Sequence, residues 1–313
     1  MVKKYFTNIE TNQLEEINEY KKGAWINVLN PSDIEIKELC ENINISEEFI
    51  KYPLDYDEKA RIDEEDDVVL FVIDVPIIEN KNDGKVYTTM PLGMIVVRDE
   101  YFITVSLHQN GVVNLFENSK IKGLVTYKKT RFILQILYYN SSLYLELLKQ
   151  INKETEIAES VLKKSMKNKE LIKLLNLEKS LVYFTTALRS NEAVMEKTLR
   201  GKIIKLYDED EDILEDAIVE NKQAIEMSKV YSDILSSTME AYASIISNNL
   251  NSVMKYLTSI TIILSIPTII GSLWGMNVNL PMEGNLYAFI ILIVVSVLLS
   301  LVVAFLLKKK DMI

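Results

Sequence analysis

Two long segments without charged residues, both near the C-terminal end, constrain this 313-residue chain more than any other feature. No Asp, Glu, Lys or Arg occurs from Tyr256 to Met282 or from Gly284 to Leu307. Each segment exceeds the roughly 20 residues that a helix needs to cross a hydrocarbon core of about 30 Å. The alternative is a buried pair of soluble helices, but such helices normally keep one charged face. The sequence therefore predicts an integral membrane protein with spans at about 256–274 and 286–307.

Lysine residues flank the two predicted spans on one side of the membrane only. Lys255 precedes the first span, Lys308, Lys309 and Lys310 follow the second, and the outer loop 275–285 contains neither Lys nor Arg. The positive-inside rule then places both termini in the cytoplasm, with about 250 residues inside before the hairpin. The N-terminal residues contain no apolar core of a secretory signal, so we expect a multi-pass protein of the cell membrane.

Glycines and prolines divide the cytoplasmic part into two regions. Most of them lie before residue 124, and short apolar runs lie between them at 24–28, 68–78, 93–97 and 101–106. The run 68–78 is rich in β-branched residues and predicts a buried strand, whereas 81–84 and 98–100 are typical of connections between strands. Segments 33–42 and 46–51 have the polarity of short helices. We expect a small cytoplasmic α/β domain over residues 1–125.

The region that follows contains almost no helix breakers. Between Leu124 and Ile270 the only glycine is Gly201, and no proline occurs between Pro91 and Pro267. This composition predicts long helices at about 129–167 and 168–199, and a third that begins near residue 208 and continues into the first span. We therefore predict an α+β membrane protein with a long helical stalk over 126–250 and a two-helix transmembrane domain over 251–313.

Composition excludes several classes of function. The chain has 35 Lys+Arg against 45 Asp+Glu, and this net charge of −10 argues against a nucleic-acid partner. One cysteine, Cys40, excludes an internal disulfide framework, and one histidine, His108, disfavours a His-based metal cluster or a Ser-His-Asp triad. No phosphate-binding loop of the Gly-x-x-x-x-Gly-Lys-Ser/Thr type is present, which argues against ATP-driven transport. We expect neither an enzyme nor a bound cofactor.

The first predicted span carries polar residues at alternating spacings of three and four. This spacing places them on one helical face, with isoleucines on the other. The polar face contains Asn251, Met254, Thr258, Thr261, Ser265, Thr268 and Ser272. Two interpretations are open, because hydroxyl residues line pores and are also enriched where membrane helices pack together. A pore lined by this face requires several copies of the helix around an axis, and hence a cyclic homo-oligomer.

The polar face contains no carboxylate, which limits the ions that it suits. Mg²⁺ loses its water shell reluctantly, and neutral amide and hydroxyl oxygens fit an ion that keeps its hydration waters. Met254 and Leu257 at the cytoplasmic end are apolar and predict a constriction that gates by dewetting.

Clusters of acidic residues occur at 208–212, at Glu215 and Asp216, at 55–58 and at 63–67. One interpretation is favourable negative charge at the start of a helix together with solubility. The other is a divalent-cation site, because clustered carboxylates are hard oxygen ligands.

A tripeptide at the outer end of the first span completes the pattern. Gly275, Met276 and Asn277 follow Trp274, and this sequence resembles the CorA family of two-transmembrane magnesium channels, whose signature is Gly-Met-Asn in this position. The segment 251–258, the segment 25–28 and the order of α/β region, long helices and hairpin are also similar to that family. The resemblance covers essentially the whole chain.

The resemblance implies a funnel-shaped homopentamer whose first span lines the pore. Gly275, Met276 and Asn277 would form the outer selectivity filter, and Glu283 would be the acidic position of the outer loop. Asn251 would form a polar ring at the inner mouth, and Met254 and Leu257 would form a hydrophobic gate. The remaining pore-lining positions would be Thr258, Thr261, Ser265, Thr268 and Ser272.

The resemblance has two departures, at Trp274 and at the positions that would face Asp216. Trp274 replaces the tyrosine that is common in the family. Asp216 occupies the place of a stalk acid that belongs to a regulatory intersubunit Mg²⁺ site. The matching α/β positions near Lys51 and Tyr52 are not acidic, although acidic residues lie at 55 and 57.

We therefore expect a passive channel in the lipid bilayer that carries Mg²⁺, with Co²⁺ and Ni²⁺ as secondary ions, down the electrochemical gradient. Within the family the alternative is a Zn²⁺ transporter. From another class the alternative is a structural or signalling protein that the hairpin anchors to the membrane.

Overall fold

The computed structural model describes residues 1–81, 84–118, 120–121, 123–165, 168–201, 203–276, 278 and 287–312. The strands, β1 to β7 in chain order, are Val2–Thr7, Leu14–Ile17, Trp25–Leu29, Arg61–Glu65, Val68–Lys81, Gly84–Val97 and Tyr101–Ser106. The α-helices, α1 to α7, are Asp33–Ile43, Glu47–Lys51, Gly111–Glu117, Lys129–Ser165, Asn168–Gly201, Asp208–Trp274 and Ala288–Lys309. The chain divides into two compact units, Met1–Ser237 and Thr238–Ile313.

The N-terminal unit contains one mixed sheet of seven strands in the order β2-β1-β3-β7-β6-β5-β4. Only β3 and β7 pair in parallel, with Val28 opposite Val105, and all other neighbours are antiparallel. The β5–β6 pair is the longest, and its register places Val68 opposite Val97. The parallel pair requires a long crossover connection, which the sequence from α1 to β6 provides.

Helices cover both faces of this sheet, because its central strands are apolar on both sides. Along β5, Leu70 and Val72 join the core that α1 and α2 cover, whereas Phe71 and Ile73 join the core beneath α3, α4, α5 and the start of α6. This alternation explains why the sequence of β5 is almost continuously apolar. The first segment of the chain is thus an α/β domain, as predicted.

Local signals in the sequence determine where the short helices begin and end. Ser32 caps α1 by accepting the backbone N–H of Glu35, whose carboxylate in turn accepts the N–H of Ser32, the reciprocal pattern of a capping box. Asn44 ends the helix with φ of 60°, a left-handed conformation that asparagine tolerates better than most residues. Ser46 caps α2 through the N–H of Glu48.

The long helices agree with the sequence prediction. α4 begins at Lys129, α5 begins at Asn168, and α6 is continuous from Asp208 to Trp274. The predicted end of α4 at 167 lies outside the described residues, as do 82 and 83 of the β5–β6 connection. The predicted domain boundaries at residues 125 and 250 stay predictions.

Four elements were not predicted from the sequence, namely β1, β2, β4 and α3. β2 and β4 are the two edges of the sheet, and edge strands tolerate polar sequences that lack an apolar alternation. α3 has only seven residues, too few for a helical period, and is capped by Asn110. The apolar run 93–97 predicted only the last part of β6, which begins at Gly84. The run 24–28 corresponds to Trp25–Leu29, one residue further on.

A buried polar chain lies beneath the sheet at Trp25. The Trp25 indole Nε1 donates to Thr104 Oγ1 at 2.8 Å, and that hydroxyl donates to Asn27 Oδ1 at 3.0 Å. Asn27 Nδ2 and the Tyr5 hydroxyl both donate to Glu117 Oε1 at 2.9 Å. Because each buried donor has an acceptor, these polar groups fix the pairing of β1, β3 and β7 without a desolvation penalty. Their role is structural.

A second polar cluster joins β5 to the helices above it. The backbone carbonyl of Asp74 accepts hydrogen bonds from Asn140 Nδ2 at 3.0 Å, Asn191 Nδ2 at 2.8 Å and the Tyr144 hydroxyl at 3.2 Å. Its N–H donates to Asn191 Oδ1 at 2.8 Å. Its register partner is Pro91, which has no N–H to donate. Burial raises the pKa of the Asp74 carboxyl to about 6 and also raises the pKa of Tyr144 well above its usual value.

Candidate ion-conduction site

The C-terminal unit consists of the second part of α6 and all of α7. Both helices are long and apolar enough to cross a membrane, and their apolar windows are almost entirely uncovered by the rest of the chain. α6 ends at Trp274, and α7 begins at Ala288 and ends at Lys309. The predicted span 256–274 lies within α6, and residues 288–307 of the second predicted span lie within α7, whereas residue 286 lies outside the described residues.

The predicted polar face of α6 is exposed. Met254 and Leu257 are 52% and 56% exposed, and Ser265 alone among the predicted positions is partly covered. The exposed members of the face are Asn251, Met254, Leu257, Thr258, Thr261, Thr268 and Ser272. With about 100° between successive residues of an α-helix, all of these positions lie within one half of the helix circumference.

The opposite face of α6 is the covered one. Ser259 is fully buried, and Ile263, Ile266 and Ile270 are partly buried at spacings of three and four. These positions are centred about 150° from the polar face. On α7 the less exposed residues also recur mostly at spacings of three and four, namely Ala288, Leu292, Ser296, Ser300, Val303, Ala304 and Leu307. The covered positions of the two helices are therefore mainly apolar and small residues, and the polar face of α6 lies on the other side of its helix.

Hydroxyl groups on the polar face donate to the backbone of their own helix. Thr261 Oγ1 donates to the Leu257 carbonyl at 2.9 Å, and Thr268 Oγ1 donates to the Leu264 carbonyl at 3.1 Å. Ser265 Oγ donates to the Ile262 carbonyl at 2.8 Å. Since each hydroxyl has one hydrogen and two lone pairs, this arrangement leaves acceptor positions on the exposed oxygens.

The C-terminal end of α6 is followed by a glycine. Gly275 follows the last helical residue, and its N–H donates to the Gly271 carbonyl at 3.0 Å. A Cβ at Gly275 would lie 3.3 Å from that oxygen, which favours glycine there. Met276 is exposed and its carbonyl accepts the N–H of Val278 at 2.8 Å. Asn277 and Glu283, predicted for the filter and the outer loop, lie outside the described residues.

Pro267 lies inside the membrane part of α6. It has no N–H, so the Ile263 carbonyl lacks the usual intrahelical hydrogen bond. A proline is tolerated in a membrane helix where neighbouring groups satisfy the freed carbonyl.

The acidic residues that the sequence suggested for a regulatory cation site form no such site among the described residues of one chain. Asp216 is exposed on α6, and Asp55 and Asp57 are exposed after a short 3₁₀ turn at Tyr52–Leu54. The described residues include no group of three or more His, Cys, Asp or Glu side chains arranged to hold a metal ion. The run 208–212 forms the first turn of α6, where negative charge is favourable, and 63–67 forms the end of β4 and the following turn.

One contact of the C-terminal unit was missed by the sequence analysis. Ser259 Oγ, completely buried, donates to the Met312 carbonyl at 3.1 Å and so joins the start of the first span to the C-terminal tail. In the sequence Ser259 is one of several hydroxyl residues in the first span. It differs from the others only because it does not fit the spacing of three and four residues that defines the polar face.

Comparison with known proteins agrees with this architecture. The family model described as "CorA-like Mg²⁺ transporter protein" matches residues 20–309. The chain belongs to this family. It is therefore a membrane transport protein with an N-terminal α/β domain and two C-terminal apolar helices.

Individual relatives match most or all of this CorA-like chain. The cobalt/magnesium transport protein CorA of Methanocaldococcus jannaschii is 27% identical over 309 residues, which cover 95% of this chain and 94% of the relative. The complete structure of the CorA magnesium transporter from the same organism has a TM-score of 0.83 at 24% identity, and covers 100% of this chain and 99% of that one. The ZntB cytoplasmic domain from Vibrio parahaemolyticus has a TM-score of 0.60 at 10% identity, with coverage of 79% and 96%, which shows a shared fold alone.

Proposed function

We propose that this chain is one subunit of a passive divalent-cation channel in the cell membrane, which carries Mg²⁺ and also Co²⁺ and Ni²⁺ into the cell. The observation that carries the proposal is the exposed polar face of α6, which lies away from the face where Ser259, Ile263 and Ile266 are covered. A lipid environment is unfavourable for a continuous row of hydroxyl and amide groups. The row therefore needs water or other polar groups beside it.

Several copies of α6 around an axis supply that environment. One helix encloses no pore, and a ring of identical subunits places the same face of every copy towards a common axis. Five copies are expected from the resemblance to CorA channels, which also implies the funnel shape. In this arrangement α7 lies outside α6, where its leucines, valines and phenylalanines meet lipid.

The chemistry of the face suits an ion that keeps its water shell. A hydrated cation presents the hydrogens of its waters outward, and these require acceptors. The hydroxyls of Thr261, Ser265 and Thr268 donate inside their own helix and keep free lone pairs on the exposed side. The absence of a carboxylate from the sequence of this face means that no group competes strongly for direct coordination of Mg²⁺.

The two ends of the face have different proposed roles. At the outer end, Gly275, Met276 and Asn277 form the selectivity filter, with the Asn277 amide oxygens accepting hydrogen bonds from hydration waters. Glu283 raises the local cation concentration at the mouth. At the inner end, Asn251 forms a polar ring, and Met254 and Leu257 form a constriction that conducts only when it is wetted.

The orientation follows from charge and sets the driving force. Lys255 and Lys308–Lys310 place both termini in the cytoplasm. An inside-negative potential favours entry of a divalent ion by about 4.6 kcal/mol per 100 mV, twice the value for one elementary charge. This gradient is sufficient for influx without nucleotide hydrolysis.

The decisive experiment measures Mg²⁺ uptake into proteoliposomes that contain a Mg²⁺-sensitive dye. We expect uptake that increases with an inside-negative potential in the wild type and is lost in Asn277→Ala, whereas Asn42→Ala on α1 retains it. Absence of flux for Mg²⁺, Co²⁺, Ni²⁺ and Zn²⁺ in protein of the correct oligomeric size would refute the channel and favour a membrane anchor. Flux for Zn²⁺ but not for Mg²⁺ would show that the transported ion is Zn²⁺.

A second experiment tests the lining assigned to α6. Thr261→Val and Thr268→Val each remove one hydroxyl from the polar face with little change of shape, and we expect a several-fold lower flux. Ser296→Ala removes a hydroxyl from the covered face of α7 and serves as the matched control. Equal effects of all three substitutions would indicate a packing role instead.

Regulation by cytoplasmic Mg²⁺ is proposed through Asp216, with a partner acid on a neighbouring subunit. Its exposed position on α6 permits an intersubunit contact. Calorimetric Mg²⁺ binding to the full protein that is unchanged in Asp216→Ala would remove this residue from regulation.

A further inference from the structure

The N-terminal unit contains a large cleft that the proposed transport function does not use. Its volume is about 1170 Å³, somewhat above the range of roughly 300–1,000 Å³ that is typical of small-molecule sites. The β4–β5 turn, the β6–β7 turn, the start of α4, the α5–α6 connection and the start of α6 surround it. From this cleft we infer a binding site for a nucleoside polyphosphate that carries a divalent cation.

Three cationic side chains line the cleft without an ionic partner among the described residues, namely Arg98, Lys128 and Lys205. Arg98 lies in the β6–β7 turn, Lys128 immediately precedes α4, and Lys205 lies in the α5–α6 connection. All three are exposed, so they are available to a ligand. In a chain with a net charge of −10, this convergence from three separate segments favours an anion.

The charges at the start of α4 are opposite to those that a helix prefers. The helix dipole favours acidic residues in the first turn, yet the first turn of α4 contains none and includes Lys129 and Arg131. Lys129 is buried and pairs with Asp99 at 3.0 Å, and Arg131 pairs with Glu209 at 2.9 Å. These pairs hold the walls of the cleft together. Lys128 lies beside the N-terminus of α4 and takes part in neither pair. A phosphate bound there would offset both the charge of Lys128 and the positive end of the helix dipole.

The cleft is also lined by apolar residues and by two aromatic rings. The apolar lining residues are Val69, Val96, Ile203, Ile204 and Leu206. Tyr127 and Tyr207 line the cleft as well, and both are exposed. The Lys205 ammonium lies 5.2 Å from the centre of the Tyr207 ring. Exposed tyrosines beside cations are suited to an aromatic base that is joined to a phosphate chain.

The remaining acidic residues are consistent with a metal-bound phosphate chain. Glu64, Asp67 and Asp210 also line the cleft, so three acidic residues stand beside the three unpaired cations. Mg²⁺ in such complexes keeps several waters and is bound by the phosphates together with one or two carboxylates. A bare phosphate chain would be repelled by these acids, whereas its Mg²⁺ complex would not.

The test is equilibrium dialysis of the full-length protein in detergent against radiolabelled ATP, in excess Mg²⁺ and in EDTA. We expect binding that is tighter in Mg²⁺ and that tripolyphosphate displaces only weakly. Arg98→Gln and Lys128→Gln should each weaken the affinity roughly tenfold, as expected for loss of one charge-assisted hydrogen bond. Tyr207→Ala should weaken ATP binding but not tripolyphosphate binding.

The matched control is Lys149→Gln, which removes an exposed lysine from the same helix at a distance from the cleft and should change the affinity less than twofold. Every variant is compared with the wild type in elution volume and thermal unfolding, so that a folding defect is recognised. Absence of ATP binding at millimolar concentration would overturn the inference, as would binding that neither Arg98→Gln nor Lys128→Gln alters. Tripolyphosphate that competes as well as ATP would overturn the assignment to a nucleotide.

Discussion

The buried carboxyl of Asp74 gives a quantitative test of the packing between the sheet and the helices. Burial raises its pKa from an ordinary value near 3.8 to about 6, and no described cation pairs with it. A difference of about two pKa units corresponds to about 3 kcal/mol at 1.36 kcal/mol per unit. This is an upper bound, because the side chain is partly accessible to water.

The sign follows from comparing the folded and unfolded chains. Below about pH 3 the carboxyl is protonated in both, and its burial has no electrostatic cost. As the pH increases from about 3 to about 7, the unfolded chain ionises first, so the free energy of unfolding decreases. Above about pH 7 the carboxyl is ionised in both and the loss is complete. Asp74→Asn keeps the shape but cannot ionise, so the variant should be more stable than the wild type at pH 7.5, and this difference should be much smaller at pH 4.

Thermal unfolding of the full-length protein between pH 4 and pH 8 measures this effect. A gain of about 3 kcal/mol corresponds to an increase in Tm of roughly 6–12 °C for a unit of this size. Asp233→Asn on the exposed side of α6 is the control and should show no pH-dependent difference. A difference between Asp74→Asn and wild type that stays constant with pH, or a variant that is less stable at pH 7.5, would refute the reasoning.

Three further substitutions test other parts of the structure. Asn191→Leu leaves the backbone N–H of Asp74 without its acceptor and should reduce the free energy of unfolding by about 2–4 kcal/mol, measured as a lower Tm. Thr104→Val removes the acceptor of the buried Trp25 indole and should cost about 1–3 kcal/mol by the same measurement; an unchanged Tm would contradict the structural role. Met254→Ser makes the proposed constriction polar and should increase basal Mg²⁺ uptake in proteoliposomes several-fold, whereas an unchanged rate would exclude a dewetting gate at this residue.

The positions of the long helices could be predicted because their sequences contain almost no residues that favour a turn. Between Leu124 and Ile270 the only glycine is Gly201 and the only proline is Pro267, so almost no signal for a turn competes with helix, and the observed α4, α5 and α6 follow. The polar strands could not be predicted in the same way. β2 and β4 owe their conformation to pairing with β1 and β5, and such pairing between distant segments leaves little pattern in the strand itself.

The features of the candidate site also divide into those that the sequence predicted and those that only the structure showed. The sequence by itself determined that the chain has two membrane spans, that one of them carries a polar face, and that this face ends at Gly275, because charge, period and glycine are properties of single segments. Only the tertiary structure decided which face of α6 is covered, through the burial of Ser259 and its bond to Met312. It also brought Arg98, Lys128 and Lys205 to one cleft. Contacts of this kind depend on how distant segments pack, and the spacing of residues within one segment does not record them.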